Sequence, residues 1–487
     1  MSKTPPSLSP EIQPDTSRRS SPFSRFGGKS PASDGQQVVR NAFVIGVLLL
    51  AAKFFAALRE VVIAWRYGVS GIADAFNIAF TVVTWAPQLL VSIMIISLVP
   101  HLVASSTTPG YRRLVSEMNA AALGGALAIF LATLIAGPWI ATEIAGGLGA
   151  ATVEASGEMT LIMAPFALFL VLCGYFGVRL QARQRFSYTF LEAMPPLLLS
   201  AFVIGLGSAG NYRALAFGIL TGGLVQFALL LRLVHRDEGI GMPRLKFTDP
   251  AWRGIYLAVG MIALGQTLNA LSIPIDQIIA AKLGTGAVAT IGYSNRLMGL
   301  ITSLAIAVIG YSLLPVLSAT AARGQFGTGR ASALQAAKFL FFGGAVVAAA
   351  AWIFGGWGVA LIFKRGAFTA EDADAVSTVF KLATLQIPFF ASGLALMQWL
   401  AATKQHGRIC VVLLAMACVK LVSALILSKL WGLSGIALSQ VVMYCILYLG
   451  MLAFVLVDRR ENVLHDIAGN AADDDRLKND PQGSNLL

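Results

Sequence analysis

About twelve times along the chain an apolar run of some 20 residues or more is followed by a short polar break, and a run of that length spans the hydrocarbon layer of a bilayer as a helix. The runs lie near 41–65, 75–104, 117–140, 159–180, 188–208, 213–234, 253–281, 287–318, 334–363, 375–402, 408–429 and 432–457. The expected fold is therefore an all-α polytopic membrane protein. Composition agrees, since 56% of the 487 residues are hydrophobic, 12% are charged and the mean hydropathy is +0.73, values outside the range of soluble globular domains.

The net charge of +12 is distributed as membrane topology requires, not as nucleic-acid binding does. Basic residues collect in alternate connectors: Arg112 and Arg113, then Arg179, Arg183 and Arg185, then Arg232, Arg236, Arg244, Lys246 and Arg253, then Arg323 and Arg330, Lys404 and Arg408, and Arg459 and Arg460. The other connectors hold Arg66, Glu143, Glu154, Glu158, Arg213, Lys282, Lys364, Arg365 and Lys429. Because short cytoplasmic loops are enriched in Lys and Arg, both termini are expected in the cytoplasm. Residues 1–40, rich in Ser and Pro, read as a disordered basic tail. The spans then divide into 41–235 and 253–457 around a cytoplasmic connector, 236–252, with a second cytoplasmic tail at 458–487. Cys173, Cys410, Cys418 and Cys445 all fall in apolar runs without CxxC or metal-site spacing, so they read as small buried hydrophobes. Nothing in the sequence supports a metal, a nucleotide, another cofactor or a catalytic residue.

The two halves match at a nearly constant offset. Glu60 falls on Asp276, Arg66 on Lys282, Gly68 on Gly284, and Ser97-Leu98-Val99-Pro100 on Ser312-Leu313-Leu314-Pro315. With about six helices in each half, the repeats are parallel and related by an axis along the membrane normal, an arrangement that puts a substrate site between them.

Within these runs stand charges that a bilayer tolerates only beside a water-filled cavity or a counter-charge. Lys53, Arg59, Arg296 and Lys420 face Glu60, Asp74, Glu192 and Asp276 in number. Two accounts remain open for Arg59: it looks into a functional cavity, or it pairs with Glu60 or Asp74 and locks two helices together. Arg296 lies about two turns into the eighth run with Ser303 on its face, and Lys420 is deep in the eleventh. Pro274 interrupts a polar stripe of Gln266, Asn269 and Asp276, as happens where backbone lines a cavity. The planar guanidinium fork suits phosphate oxygens, so an anionic substrate is expected, with Lys53, Arg59, Arg296 and Lys420 as its cationic contacts. Glu60, Asp74 and Asp276 are then the gating or ion-pairing carboxylates, and Asp276 is the one candidate for a coupling cation or proton.

Arg59-Glu60 followed by Tyr67-Gly68, together with Ala73-Asp74-Ala75-Phe76, Pro100, Asp276, Tyr293-Ser294-Asn295-Arg296-Leu297-Met298, Leu314-Pro315 and Gly366-Ala367-Phe368-Thr369, resembles the MurJ/MviN branch of the multidrug/oligosaccharidyl-lipid/polysaccharide exporter superfamily. The resemblance covers roughly residues 41–457. It implies two six-helix lobes forming a V around a cationic cavity in a bacterial cytoplasmic membrane. It also implies flipping of an undecaprenyl-pyrophosphate-linked saccharide, typically the peptidoglycan precursor lipid II, to the outer leaflet. Lys53 (where the family usually has Arg), Arg59, Asp74 and Arg296 take the positions implied to hold the pyrophosphate and gate the lobes.

Two departures keep a flippase for exopolysaccharide or another glycan repeat unit in view. Pro87 and Gln88, then Ser92 and Ile93, stand where the family's second helix usually has an Arg pair followed by an acidic residue and Gly. Members that flip lipid II also commonly carry two further C-terminal helices. A cation or drug antiporter on the same scaffold would prefer acidic and aromatic walls. A membrane glycosyltransferase needs acid/base groups and a sizeable loop, and the connector at 235–252 is too short for one.

Overall fold

Prolines and glycines decide where the apolar runs break into helices. The computed structural model describes residues 34–105, 110–183, 185, 187–208, 210–238, 241–249 and 251–457. Its two compact units are Met1–Val47 and Leu48–Leu487; in the first, residues 34–47 are helical, and the second holds the packed helices. In chain order the helices are α1 (Asp34–Tyr67), α2 (Gly71–Ser105), α3 (Tyr111–Ile144), α4 (Ala150–Ala182), α5 (Met194–Leu206), α6 (Arg213–Glu238), α7 (Ala251–Ala270), α8 (Ser272–Ala281), α9 (Ala287–Ala322), α10 (Phe326–Phe363), α11 (Ala370–Thr384), α12 (Ile387–Ala402) and α13 (His406–Val457). Among the described residues, eight helices are long and apolar enough to cross a membrane, with α13 counted once.

Three expected runs are divided. The run at 188–208 begins as a 3-10 turn, Ser187–Ala193, and becomes α5 at Pro195 and Pro196, which are pre-shaped for a first helical turn. The run at 253–281 splits into α7 and α8 because Pro274 has no N–H to give the carbonyl of Ala270. That carbonyl instead accepts from Trp85 Nε1 at 2.9 Å. Pro388 similarly opens α12 after α11. The last two expected runs are the arms of α13. Gly432 sits between them at φ 56°, ψ −130°, and Lys420 Nζ reaches Ser439 Oγ at 2.7 Å. In one straight helix those residues would be about 28 Å apart, so the chain doubles back.

Residues 34–40, expected in the N-terminal tail, are helical and belong to α1. The rest of the expected tails, 1–33 and 458–487, lies outside the described residues.

Two groups of helices pack internally. In the first, α4 lies against α2, α3 and α6, and α5 against α6, around Phe76, Met159, Met163, Phe166 and Leu199. In the second, α12 lies against α9, α10 and α13, around Leu396, Trp399, Met416 and Leu447. One apolar cluster draws on both groups, with Ala64, Ala73, Ile78 and Ala141 from the first and Ile279, Val288, Tyr293, Phe363 and Phe368 from the second. It lies at the end of the bundle away from the basic connectors. Gly68 (φ 58°) and Gly284 (φ 116°), matched between the sequence halves, both follow a helix that stops at that end.

At the basic end the groups keep separate cores, but the start of α7 packs on the first. Trp252 and Ile255 join Leu98, Leu102, Leu114 and Met118. The segment 241–249, without regular secondary structure, precedes α7 and is strapped along α3. Asn119 Nδ2 donates to Gly241 O at 2.8 Å, and Arg244 N donates to Ser116 O at 3.0 Å. Glu117, buried, accepts from Thr248 Oγ1 (3.2 Å), Asp249 N (3.2 Å), Trp252 Nε1 (2.7 Å) and Arg113 Nε (3.1 Å). Arg179, expected in a connector, is buried in the last turn of α4 with Nη1 3.3 Å from Asn119 Oδ1.

Glu117→Ala is expected to lower the thermal unfolding midpoint by several degrees, since each donor left buried without a partner costs on the order of 1–3 kcal/mol. Arg113→Ala, on the half-exposed side of the same ion pair, should shift it by much less, as surface pairs contribute about 0–1 kcal/mol. Calorimetry of the two purified variants in one detergent checks the difference.

Candidate functional site

α1 brings Arg59 and Glu60 to the point where the two groups meet. Neighbouring residues on a helix do not face one another, so the long Arg59 side chain curls back, its guanidinium over the Phe80 ring at 5.1 Å. Arg59 donates Nε to Glu60 Oε1 at 2.8 Å. Arg296, from α9 in the second group, brings its Nε to the same oxygen at 2.8 Å. Glu60 is buried, and its other oxygen, Oε2, has no partner among the described residues. The side chains of Arg59 and Arg296 keep 13% and 22% of their surface open. Two cations thus share one carboxylate, a cluster of net charge +1 that is not fully enclosed.

The backbone makes room for it. A Cβ on Gly292, one turn before Arg296, would stand 3.0 Å from Arg296 Nη1 and 3.0 Å from Asn77 Oδ1. Gly292 therefore lets the guanidinium lie between α9 and α2.

Beyond this cluster the groups are closed on each other. Asp74, fully buried at the start of α2, caps the N-terminus of α9: Ala289 N donates to Oδ1 at 2.7 Å and Gly286 N to Oδ2 at 2.5 Å. Of the two carboxylates the sequence offered to Arg59, the structure pairs it with Glu60, while Asp74 serves backbone amides. Tyr293 Oη donates to Gly68 O at 3.1 Å, Gln277 Nε2 to Thr81 Oγ1 at 2.7 Å, and Ala367 N to Trp65 O at 2.9 Å. Where the last pair of segments crosses, a Cβ on Gly68 would strike Ala367 O and one on Gly366 would strike Trp65 O.

On α2 the residues facing the second group are Asp74, Asn77, Thr81 and Trp85, spaced as one helical face. Gln88 and Ser92 continue that face toward the basic end. Gln88 is exposed, and Ser92 Oγ donates only to its own helix at Gln88 O, 2.9 Å away. On α9, Gly299 and Leu300, one turn past Arg296, are likewise exposed. The Arg59–Glu60–Arg296 cluster thus stands between these closed contacts and exposed positions on α2 and α9 toward the basic end. Lys53 is exposed on α1, about 9 Å along the axis from Arg59.

Lys420 is not part of this cluster. Its Nζ lies 2.7 Å from Asp276 Oδ1 and donates to Ser439 Oγ, while Gln440 Nε2 donates to Asp276 Oδ2 at 2.7 Å and to Ser272 Oγ at 3.2 Å. Both charges are 1% exposed. The expected cavity cation is instead the partner of Asp276, and together they tie α8 to both arms of α13. Burial forces the pairing, because an ammonium in that setting without a carboxylate would be left uncompensated.

Sequence reasoning missed Asn77, Gln277, Trp85, Gly292, Gln440 and Glu117. Asn77 and Thr81 share the face of Asp74 and were within reach of a helical-face argument. Glu117 carried no such signal, since Arg113 and Glu117 at i,i+4 read as an exposed pair until the strap covers them.

Asp74→Ala is expected to speed amide hydrogen exchange at Gly286 and Ala289 by at least about tenfold, because two buried donors lose a charged acceptor. Exchange in α12 should stay unchanged, and mass-spectrometric exchange on the two proteins reads both.

The family model described as lipid II flippase MurJ matches residues 63–469. Lipid II flippase MurJ of Burkholderia cenocepacia is 29% identical over 300 residues, 57% of this chain and 57% of that protein. The probable lipid II flippase MurJ of Rhizobium meliloti is 26% identical over 375 residues, 72% of this chain and 68% of that one. The chain thus spans a little over half the length of the first of these curated relatives. Among solved structures, lipid II flippase MurJ in an inward closed conformation superposes with a TM-score of 0.72 at 16% identity, over 85% of this chain and 88% of that one. An inward-facing MATE family multidrug resistance transporter of the MOP superfamily gives 0.68 at 14% identity, over 85% and 96%. The solved structures share the fold, the family model covers most of the sequence, and the chain belongs to the MurJ family.

Proposed function

We propose that the chain is a flippase that carries a polyprenyl-pyrophosphate-linked saccharide, a lipid II-like peptidoglycan precursor, from the cytoplasmic to the outer leaflet by alternating access. The observation that carries this reading is the shared carboxylate: two guanidiniums, one from each helical group, meet a single Glu60 where the groups join, and a cleft opening from the basic end to that point is part of the proposal. A diphosphate supplies the negative charge that the cluster lacks, and each guanidinium fork can take two phosphate oxygens. Because Arg59 and Arg296 belong to different groups, an anion held by both draws those groups together at the cleft. Lys53, nearer the mouth, meets the anion on its way in.

Opening the other side then requires release of the contacts beyond the cluster, with Asp74 leaving α9 and Trp65 leaving Ala367. The helical groups 41–235 and 253–457 serve as the two lobes, and the connector 236–252 and both tails lie in the cytoplasm, as the Lys and Arg asymmetry supports. No covalent step is needed, so the chain acts as a transporter and not as an enzyme. Asp276 is held by Lys420 in this state, and a coupling cation or proton at that carboxylate would have to displace the ammonium.

A second substrate reading has its own support. Gln88 and Ser92 on the α2 wall are neutral, which suits the less charged headgroup of an exopolysaccharide or other glycan repeat unit. A cation or drug antiporter is disfavoured by the excess of guanidinium over carboxylate at the cleft's end.

Arg59→Ala and Arg296→Ala are each expected to reach the membrane at normal levels and to lose transport by more than about tenfold, the scale of a lost charge-assisted contact. Arg59→Lys should recover part of it. Full transport in both alanine variants would make the cluster structural. Depleting the protein and identifying which lipid-linked glycan builds up on the inner leaflet separates the two substrate readings.

A further inference from the structure

The strap at 241–249 presents an unusual surface. Met242 and Leu245 are 86% and 82% exposed, and Arg244 and Lys246 stand exposed between and beside them. In water, large apolar side chains at such exposure on a polar connector would be a liability. They are nevertheless held in place by Asn119, Ser116 and Glu117 through the hydrogen bonds described above, so the patch is rigidly displayed.

Its depth is set by α3. A helix of 34 residues is about 51 Å long, against a hydrocarbon layer of about 30 Å, which leaves roughly 10 Å at each end among the headgroups. Ser116, Glu117 and Asn119 lie about 8–12 Å from the start of α3. The strap bound to them therefore runs along the boundary between headgroups and acyl chains. Trp252 and Tyr256, stacked at 5.4 Å just after it, are the aromatic pair expected at that level. Arg112 and Arg113, exposed in the first turn of α3, add positive charge beside the patch.

We infer that the strap is a membrane-surface anchor, in which Met242 and Leu245 enter the edge of the hydrocarbon while Arg244 and Lys246 bind the phosphate of anionic phospholipids in the leaflet at the basic end. The charge favours anionic over zwitterionic lipid, because each Lys or Arg near a surface adds attraction to negative headgroups. Through Glu117 and Trp252 the same anchor holds the start of α7 to the first helical group. This assignment stands whether or not the transported lipid is the one proposed above.

The full-length protein and its Arg244→Glu/Lys246→Glu variant would be reconstituted in nanodiscs of phosphatidylcholine mixed with phosphatidylglycerol, released, and their retained lipids counted by native mass spectrometry. Wild type should keep phosphatidylglycerol in preference to phosphatidylcholine, and the variant should lose that preference by about tenfold or more, the effect of removing and reversing two surface charges. Met242→Ser/Leu245→Ser should reduce retention of both lipids alike. Thermal midpoints in detergent equal to wild type show that each variant is folded. Undiminished phosphatidylglycerol retention in the charge-reversed variant overturns the assignment. So does a wild-type protein that native mass spectrometry shows to be a dimer and a charge-reversed variant that it shows to be a monomer, which would make the patch a contact between two copies of the chain.

Discussion

One oxygen of Glu60 receives two guanidinium groups, and the junction between the helical groups is organised by that imbalance. A lone arginine paired with a lone carboxylate would be neutral and would lock two helices, one of the two accounts the sequence allowed. Two arginines on one carboxylate leave a residual positive charge where the dielectric is low and each charge is felt strongly. Neither arginine side chain is fully enclosed, with 13% and 22% of the surface open. The residual charge also gives the junction a chemical polarity, since an arriving anion lowers the energy of the cluster and an arriving cation raises it.

The second buried charge group makes the contrast plain. Asp276 and Lys420 are balanced one to one, enclosed, and supplied with further hydrogen bonds by Gln440 and Ser439. Such a pair adds little net stability over a well-packed apolar substitute, yet removing one partner is severe. It is suited to fixing geometry, here the register of α8 against the two arms of α13. The molecule therefore uses intramembrane charge in two ways, closed where helices must stay together and open where the two groups meet.

The architecture was legible because membrane-spanning helices declare themselves by length and apolarity alone. Arg59, Glu60, Asp74 and Arg296 were legible as a set because charge in such runs demands a reason. Their partners were not. Lys420 looked like a cavity cation because nothing in the sequence says that a carboxylate 144 residues earlier in the chain lies 2.7 Å away. Asp74 looked like an ion-pair candidate because a helix N-terminus from another part of the chain carries no charge that a sequence shows, although its free amides attract a carboxylate as a cation would. Glu117 was hidden for the opposite reason, since its burial comes from a connector whose path is set by hydrogen bonds and not by apolar pattern.

The manner of closure beyond the cluster bears on how the proposed transport could proceed. What crosses there is a carboxylate on two amides, a tyrosine on a carbonyl, a backbone pair at Trp65 and Ala367, and glycines that let the strands of chain touch. Each polar group in that set can exchange its protein partner for water, and the net change for such an exchange is only about 0.5–1.5 kcal/mol for a neutral bond. The apolar share of the contact sets small side chains on the first group, Ala64, Ala73 and Ala141, beside Ile78 and against Ile279, Val288, Tyr293, Phe363 and Phe368 of the second. Exposing that apolar area costs about 25 cal/mol for each Å², so in the proposed transport the larger cost of separating the groups lies in this cluster and not in the polar contacts, and it is the term that an anion held by Arg59 and Arg296 has to offset.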